Sequence, residues 1–136
     1  MTAFFDTNIL VYAQQANAKG DRARRLIAEG GKLSVQVLNE FTAVSRRKQD
    51  KQWREIGEAI ADILALVDPP LALTLDLHIA ARTLAEVHQL SFYDALIVAS
   101  AIEAGCDVLH SEDMQHGRAL GGLAIVNPFF TESAGN

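Results

Sequence analysis

Four acidic residues, Asp6, Glu40, Asp94 and Asp113, are the side chains best suited to chemistry in this 136-residue chain, because each is set among apolar residues where a free charge does not belong. Burying an unpaired carboxylate costs several kcal/mol or more, so such a group needs a hydrogen-bonding partner or a metal ion. Most of the other acids, of 17 in all, lie in polar stretches that a solvated face explains. If the fold gathers the four, their carboxylates repel one another, and a divalent cation relieves that repulsion. Three of them also have simpler readings. Asp6 could cap the helix it precedes, Asp94 could complete a Ser91-x-x-Asp94 capping box, and Asp113 could be a turn residue. Glu40 has no such local role, since a lone Glu on an apolar helical stripe lacks a partner nearby in sequence.

The elements that must position these acids follow from hydrophobic periodicity. Ala3-Phe4-Phe5 reads as a buried strand ending at Asp6-Thr7-Asn8, and a helix runs from Ile9 to Gln14. A second helix, Asp21 to Glu29, closes at Gly30-Gly31. Leu33-Ser34-Val35 reads as a brief strand, followed by a helix from Gln36 to Lys48 and an amphipathic helix from Gln52 to Val67 that Pro69-Pro70 stops. The rest repeats the theme: strand Ala72 to Leu75, helix Asp76 to His88, helix Phe92 to Ala104, strand Val108 to Ser111 and strand Leu123 to Val126.

Short apolar strands separated by helices imply an α/β three-layer domain with a central, mainly parallel sheet flanked by helices. One domain over residues 1–130 accounts for the chain, and Thr131 to Asn136 reads as a frayed tail. Ligands in such folds gather beyond the carboxyl ends of the strands, where Asp6 and Asp113 fall. Glu40 shares the inward stripe of its helix with Val37, Phe41 and Val44, and Asp94 shares a face with Ile97, Val98 and Ala101. Both acids can therefore point into the same cleft.

The formal charge of −5 argues against a general nucleic-acid-binding surface, which is usually basic. Most of the 12 basic residues nevertheless cluster, at Arg22, Arg24 and Arg25 and at Arg46, Arg47, Lys48, Lys51 and Arg54. These clusters are either solvated helix faces or a rim that tracks phosphates. The single cysteine, Cys106, cannot form an internal disulfide and suits a reducing compartment. With no basic leader and no apolar run long enough for a membrane, the expected location is the cytoplasm.

Four segments taken together resemble the PIN domain, and closely the VapC-type ribonuclease toxins of bacterial toxin–antitoxin pairs. They are Phe4-Phe5-Asp6-Thr7-Asn8-Ile9-Leu10, Ser34 to Phe41, Leu90 to Ala101, and Leu109 to Gly117, in that order, and the likeness runs from Met1 to Pro128. The resemblance implies a PIN-like fold and a metal-dependent endoribonuclease acting on RNA as the toxin of a type II pair. It matches Asp6, Glu40, Asp94 and Asp113 to the family acids, with Asp6, Asp94 and Asp113 as metal ligands and Glu40 handling the attacking water. Thr7 and Asn8 match small polar positions that steady the first acid, and Ser111 matches the hydroxyl position two residues before the last. Many relatives carry a further acid about three residues after the fourth, where this chain has His116.

The implied chemistry has its own physical logic. A divalent cation amid carboxylates supplies positive charge where a phosphodiester builds up negative charge, and it lowers the pKa of a water it binds. Mg2+ prefers oxygen ligands and keeps several waters while using one or two protein carboxylates, and Mn2+ would also serve. The resemblance further implies a small antitoxin that inserts a basic residue among the acids, and a homodimer. The helix from Gln52 to Val67 offers apolar surface for either interface.

Other classes fit less well. A phosphoacceptor receiver domain needs a paired acid at the first strand and a late lysine, and an Asp-x-Asp phosphatase fails at Asn8. His110-x-x-Asp113-x-x-His116 has zinc-ligand residue types but unconvincing spacing. The alternative that stays open is a catalytically silent PIN-like module that binds RNA or protein without cutting.

Overall fold

Three short parallel strands set the architecture of the computed structural model, which describes residues 2–130. The tail expected over Thr131 to Asn136 lies outside the described residues. Strand β1 (Ala3–Phe5) pairs with β2 (Val108–His110), and β2 pairs with β4 (Leu123–Val126). The two-residue β3 (Ala119–Leu120) joins β4 antiparallel, giving the order β1-β2-β4-β3. Phe4, Leu109 and Ile125 stand in register across the three parallel strands and are fully buried. That row is why each strand reads as an uninterrupted apolar run.

Among the described residues six helices flank the sheet: α1 (Thr7–Ala13), α2 (Ala18–Ala28), α3 (Val35–Arg47), α4 (Trp53–Leu64), α5 (Leu75–His88) and α6 (Phe92–Glu103). Helix α6 is buried from Ala95 to Ala101 and packs on β2, as its all-round apolar sequence requires. Helices α5 and α6 enclose a second, smaller core of Leu77, Ala81, Ala95, Leu96 and Ala99. Among the described residues no helix is long and apolar enough to cross a membrane. The expected α/β arrangement, a mainly parallel sheet flanked by helices, is what the structure shows.

Two expected strands do not form. Leu33-Ser34-Val35 contributes only a single bridge, from Ser34 to Leu71, and the expected strand from Ala72 to Leu75 contributes none. The reason is local: the Ser34 hydroxyl caps α3 by accepting the Val37 N–H, and the Thr74 hydroxyl caps α5 by accepting the Leu77 N–H. The last two residues of each stretch thereby become the cap and first residue of a helix. Helix α4 ends at Leu64 rather than Val67, because the chain turns so that the Asp68 N–H donates to the Gly31 carbonyl. β3 was not expected from the sequence. It forms because Gly121 and Gly122, both at positive φ, make the tight turn into β4.

One glycine fixes how the first two helices meet. At Gly20 a Cβ would lie 1.9 Å from the Gln15 carbonyl oxygen, so only glycine lets the first turn of α2 seat against the loop after α1.

Candidate functional site

Asp6 leaves β1 at its carboxyl end and opens α1. Its N–H still donates to the His110 carbonyl of the neighbouring strand, so the backbone under the side chain belongs to the sheet. The carboxylate is buried, with Oδ1 accepting the Thr7 N–H at 2.7 Å and Oδ2 accepting the Ser111 hydroxyl at 2.6 Å. Burial pushes its pKa up to about 7, against the two hydrogen bonds that favour the charged form, and Glu40 and Asp113 raise it further.

Glu40 projects from α3 beside the core residues Val37 and Phe41 and is half-buried. Its Oε2 accepts a 3.0 Å hydrogen bond from Gln36, one turn earlier and itself buried. Partial burial raises the Glu40 pKa, the Gln36 amide opposes this, and Asp94 and Asp113 add to the rise. Asp94 lies in the first turn of α6, where its N–H donates to Ser91 Oγ at 3.2 Å. Burial raises its pKa too, the Ser91 hydroxyl opposes, and Asp113 adds. Asp113 itself is exposed, and its Oδ2 accepts the Asn8 amide at 3.0 Å.

Near the carboxyl ends of β1 and β2, Asp113 comes within electrostatic reach of Asp6, Glu40 and Asp94, and Glu40 within reach of Asp6 and Asp94. Asp113 is their common neighbour, since Asp6, Glu40 and Asp94 all feel its charge. The supporting residues are arranged differently from the expectation. Thr7 steadies Asp6 through its N–H, while its own Oγ1 is buried without a hydrogen-bond partner. Asn8 does not reach Asp6; its side chain holds Asp113 and accepts the Glu112 N–H at 3.2 Å, because the helical start points it toward the β2 exit. Gln36 and Glu112 were not singled out from the sequence. Gln36 had a usable signal in its spacing of four from Glu40, but the contacts of Glu112 are with residues about a hundred positions away.

The donor set suits a hard divalent cation: the carboxylates of Asp6, Glu40 and Asp94, whose charged forms burial and neighbouring acids disfavour, with the exposed carboxylate of Asp113 beside them. Among the described residues no three His, Cys, Asp or Glu side chains converge closely enough to form a cage. An octahedral ion that uses one or two carboxylates and completes its shell with water does not need one. The histidines stand apart from the acids. His110 stacks on Phe5 with its Nδ1 buried and unpartnered, whereas His116 stacks on Phe130 and its Nδ1 accepts the Asn127 N–H.

Much of the basic charge is committed elsewhere. Arg24 caps the end of α1 by donating to the carbonyls of Ala13 and Gln15 and pairs with Asp21. Arg46 donates to the Lys51 carbonyl and lies over the Trp53 ring, and Arg54 pairs with Glu58. Arg47 and Lys48 stay exposed at the end of α3. Between α1, α3 and α4 runs a groove of about 290 Å³, with Val11, Phe41 and Ile56 on its floor and Glu55, Glu58 and Asp62 along it.

Comparison with known proteins agrees with this architecture. Residues 3–119 match the PIN domain family model. The VapC20 toxin of Mycobacterium tuberculosis, described as cleaving the sarcin-ricin loop, is 25% identical, with a TM-score of 0.64 over 82% of this chain and 90% of that one. The VapBC2 complex of Rickettsia felis, bound to a DNA fragment from its promoter, shares the fold at 20% identity and a TM-score of 0.66, covering 92% of this chain and 97% of that one. A toxin–antitoxin complex from Klebsiella pneumoniae shares it at 18% identity and a TM-score of 0.71, covering 94% and 98%. No curated protein sequence matches significantly. Because the family match spans all but the last part of the sheet, this chain belongs to the PIN domain family.

Proposed function

We propose that this chain is a Mg2+-dependent endoribonuclease, with Mn2+ as a substitute, that acts in the cytoplasm as the toxin of a type II toxin–antitoxin pair. The observation that carries the reading is the placement of Asp6, Glu40 and Asp94 within electrostatic reach of Asp113, since carboxylates whose charge burial and nearby acids disfavour are stabilised by a divalent cation. The likeness to VapC20 supports RNA as the substrate class.

Asp6, Asp94 and Asp113 would hold the cation, which when bound supplies positive charge against the scissile phosphate and eases ionisation of a water. Ser111 and the Thr7 N–H orient the Asp6 carboxylate. Glu40, its raised pKa suiting a general base, takes the proton of the attacking water while Gln36 fixes its angle. A new P–O bond then forms from that water as the bond to the leaving ribose oxygen breaks. Arg47 and Lys48 would meet flanking phosphates.

The antitoxin would lay an apolar, basic segment along the acid-lined groove of α1, α3 and α4 and place a cationic side chain among the four acids. On α4, Ile56 and Ile63 pack in the core while Trp53 and Leu64 stay exposed, so this helix would offer only part of its apolar face to a homodimer. Leu75, Ile79 and Val87 add exposed apolar side chains on α5, which we take as the homodimer face.

Incubating the purified protein with total RNA in Mg2+, in EDTA, and with Asp6→Asn and Asp94→Asn variants tests the activity. Cleavage that requires Mg2+ and disappears in both variants supports the reading. RNA left intact by the wild type in Mg2+ and Mn2+ would establish the silent module instead.

A further inference from the structure

Glu112 sits between Ser111 and Asp113, yet none of the roles above uses it. Its Oε1 accepts the Tyr12 hydroxyl at 2.5 Å and its Oε2 accepts Lys19 Nζ at 2.6 Å. Lys19 lies 4.7 Å over the Tyr12 ring and 5.4 Å from the Phe129 ring centroid, and Tyr12 meets Phe129 edge-on. The carboxylate is thus gripped by α1 and by the first turn of α2, the turn that Gly20 allows to pack closely.

The same turn is gripped a second time. The Glu112 N–H donates to Asn8 Oδ1, and the other end of that amide donates to Asp113 Oδ2. Asn8 and Tyr12 are four residues apart and share one face of α1, so a single helical face holds the turn at two points. Asp113 is otherwise an exposed side chain on an irregular segment, and it is the acid that the other three sense.

We propose that Glu112 is a positioning residue: through Tyr12 and Lys19 its carboxylate fastens residues 111–113 to α1 and α2, so that the Asn8 amide presents Asp113 to the cleft. The kinetic part of this inference rests on the ribonuclease reading; the geometric part does not. A tie that served stability alone would alter unfolding and leave turnover per folded molecule unchanged. A tie that places Asp113 sets how well a group at the reacting centre is aligned, and misalignment of this kind lowers kcat without weakening RNA binding.

The test uses Glu112→Gln, Tyr12→Phe, Lys19→Met and Lys19→Arg in the full chain. Steady-state RNA cleavage in Mg2+ is measured beside 1H–15N spectra of the Asn8 side-chain amide recorded without metal. Tyr12→Phe keeps the ring and its packing, so it remains informative should Glu112→Gln fold poorly. We expect Glu112→Gln, Tyr12→Phe and Lys19→Met to lower kcat about 10- to 100-fold with KM unchanged, and Lys19→Arg to retain activity. The Asn8 amide signals should move toward those of a free asparagine in the first three. Unchanged kcat with an unmoved Asn8 amide overturns the proposal, as does a Lys19→Met variant whose KM rises at constant kcat, which would make Lys19 an RNA contact. If the wild type cuts no RNA, the ribonuclease reading fails, and the Asn8 amide alone then decides whether Glu112 places the turn.

Discussion

Ser111 Oγ donates to Asp6 Oδ2 across 105 positions of sequence, joining the exits of two adjacent parallel strands through one buried hydrogen bond of 2.6 Å. Because the Ser111 hydroxyl also accepts the Met114 N–H at 3.4 Å, it orders the turn that carries Asp113 while it orients Asp6. Sheet, first acid and last acid are therefore coupled through one side chain.

Ser111→Ala leaves Asp6 with the Thr7 N–H alone. We expect a loss of about 1–3 kcal/mol in chemical denaturation above neutral pH, where the carboxylate is charged. Ser111 lowers the Asp6 pKa, so its removal should also move the acid limb of the pH–rate profile upward. A profile unmoved in this variant would count against the assignment of Asp6.

Through Asp6, metal-free protein should gain stability in mild acid over mild base, against the opposite pull of His110, whose pKa burial lowers. The folded-state pKa of Asp6 is raised from 3.8 to about 7, so between those values the folded state binds more protons than the unfolded one. Stability is then lost as pH rises through that window, with Glu40 and Asp94 acting in the same direction. Melting of EDTA-treated protein at pH 5 and pH 8 measures the slope, and Asp6→Asn should flatten it. Mg2+ should raise the melting temperature more at pH 8 than at pH 5, because it binds the ionised acids.

Glu40→Gln should lower kcat by about 10²–10⁴, the usual contribution of a general base. Gln36→Leu is the milder change. It removes the hydrogen bond that opposes protonation of Glu40, so the profile should shift toward higher pH while activity returns once Glu40 ionises. Single-turnover rates across pH separate the two variants, and equal losses at every pH would remove Gln36 from this role.

The sequence was legible where burial dictated it. Apolar triplets such as Ala3-Phe4-Phe5 end at the polar residues that leave the sheet, so the exits occupied by Asp6 and Asp113 could be read from the chain, and so could the inward stripe that carries Glu40. Reading failed where one residue had two possible uses. Ser34 and Thr74 look like strand residues among apolar neighbours, but their hydroxyls cap α3 and α5. The Gly121-Gly122 turn was a hairpin signal that the very short β3 obscured. Asn8 looks like a neighbour of Asp6, and only the meeting of α1 with the β2 exit shows that it serves Asp113 instead.

The exposed apolar side chains of α5 give the homodimer a direct check. Ile79→Glu places a charge in the middle of Leu75, Ile79 and Val87 without entering either core. Sedimentation should change from dimer to monomer while the melting temperature of the monomer stays close to that of a diluted wild type. A dimer that persists would place the interface elsewhere.

His116 occupies the position where the resemblance implied a further acid, and its contacts are those of a packing residue. Its Nδ1 accepts the Asn127 N–H at 3.0 Å and its ring stacks on Phe130 at 4.2 Å, so it ties the turn after Asp113 to the segment leaving β4. Accepting through Nδ1 requires the tautomer with hydrogen on Nε2. His116→Ala should therefore cost about 1 kcal/mol of stability and leave kcat within about twofold of wild type, well short of the loss a catalytic group would cause. Denaturation and RNA-cleavage kinetics on the same preparation measure both. A large fall in kcat with normal stability would instead bring His116 into the reaction.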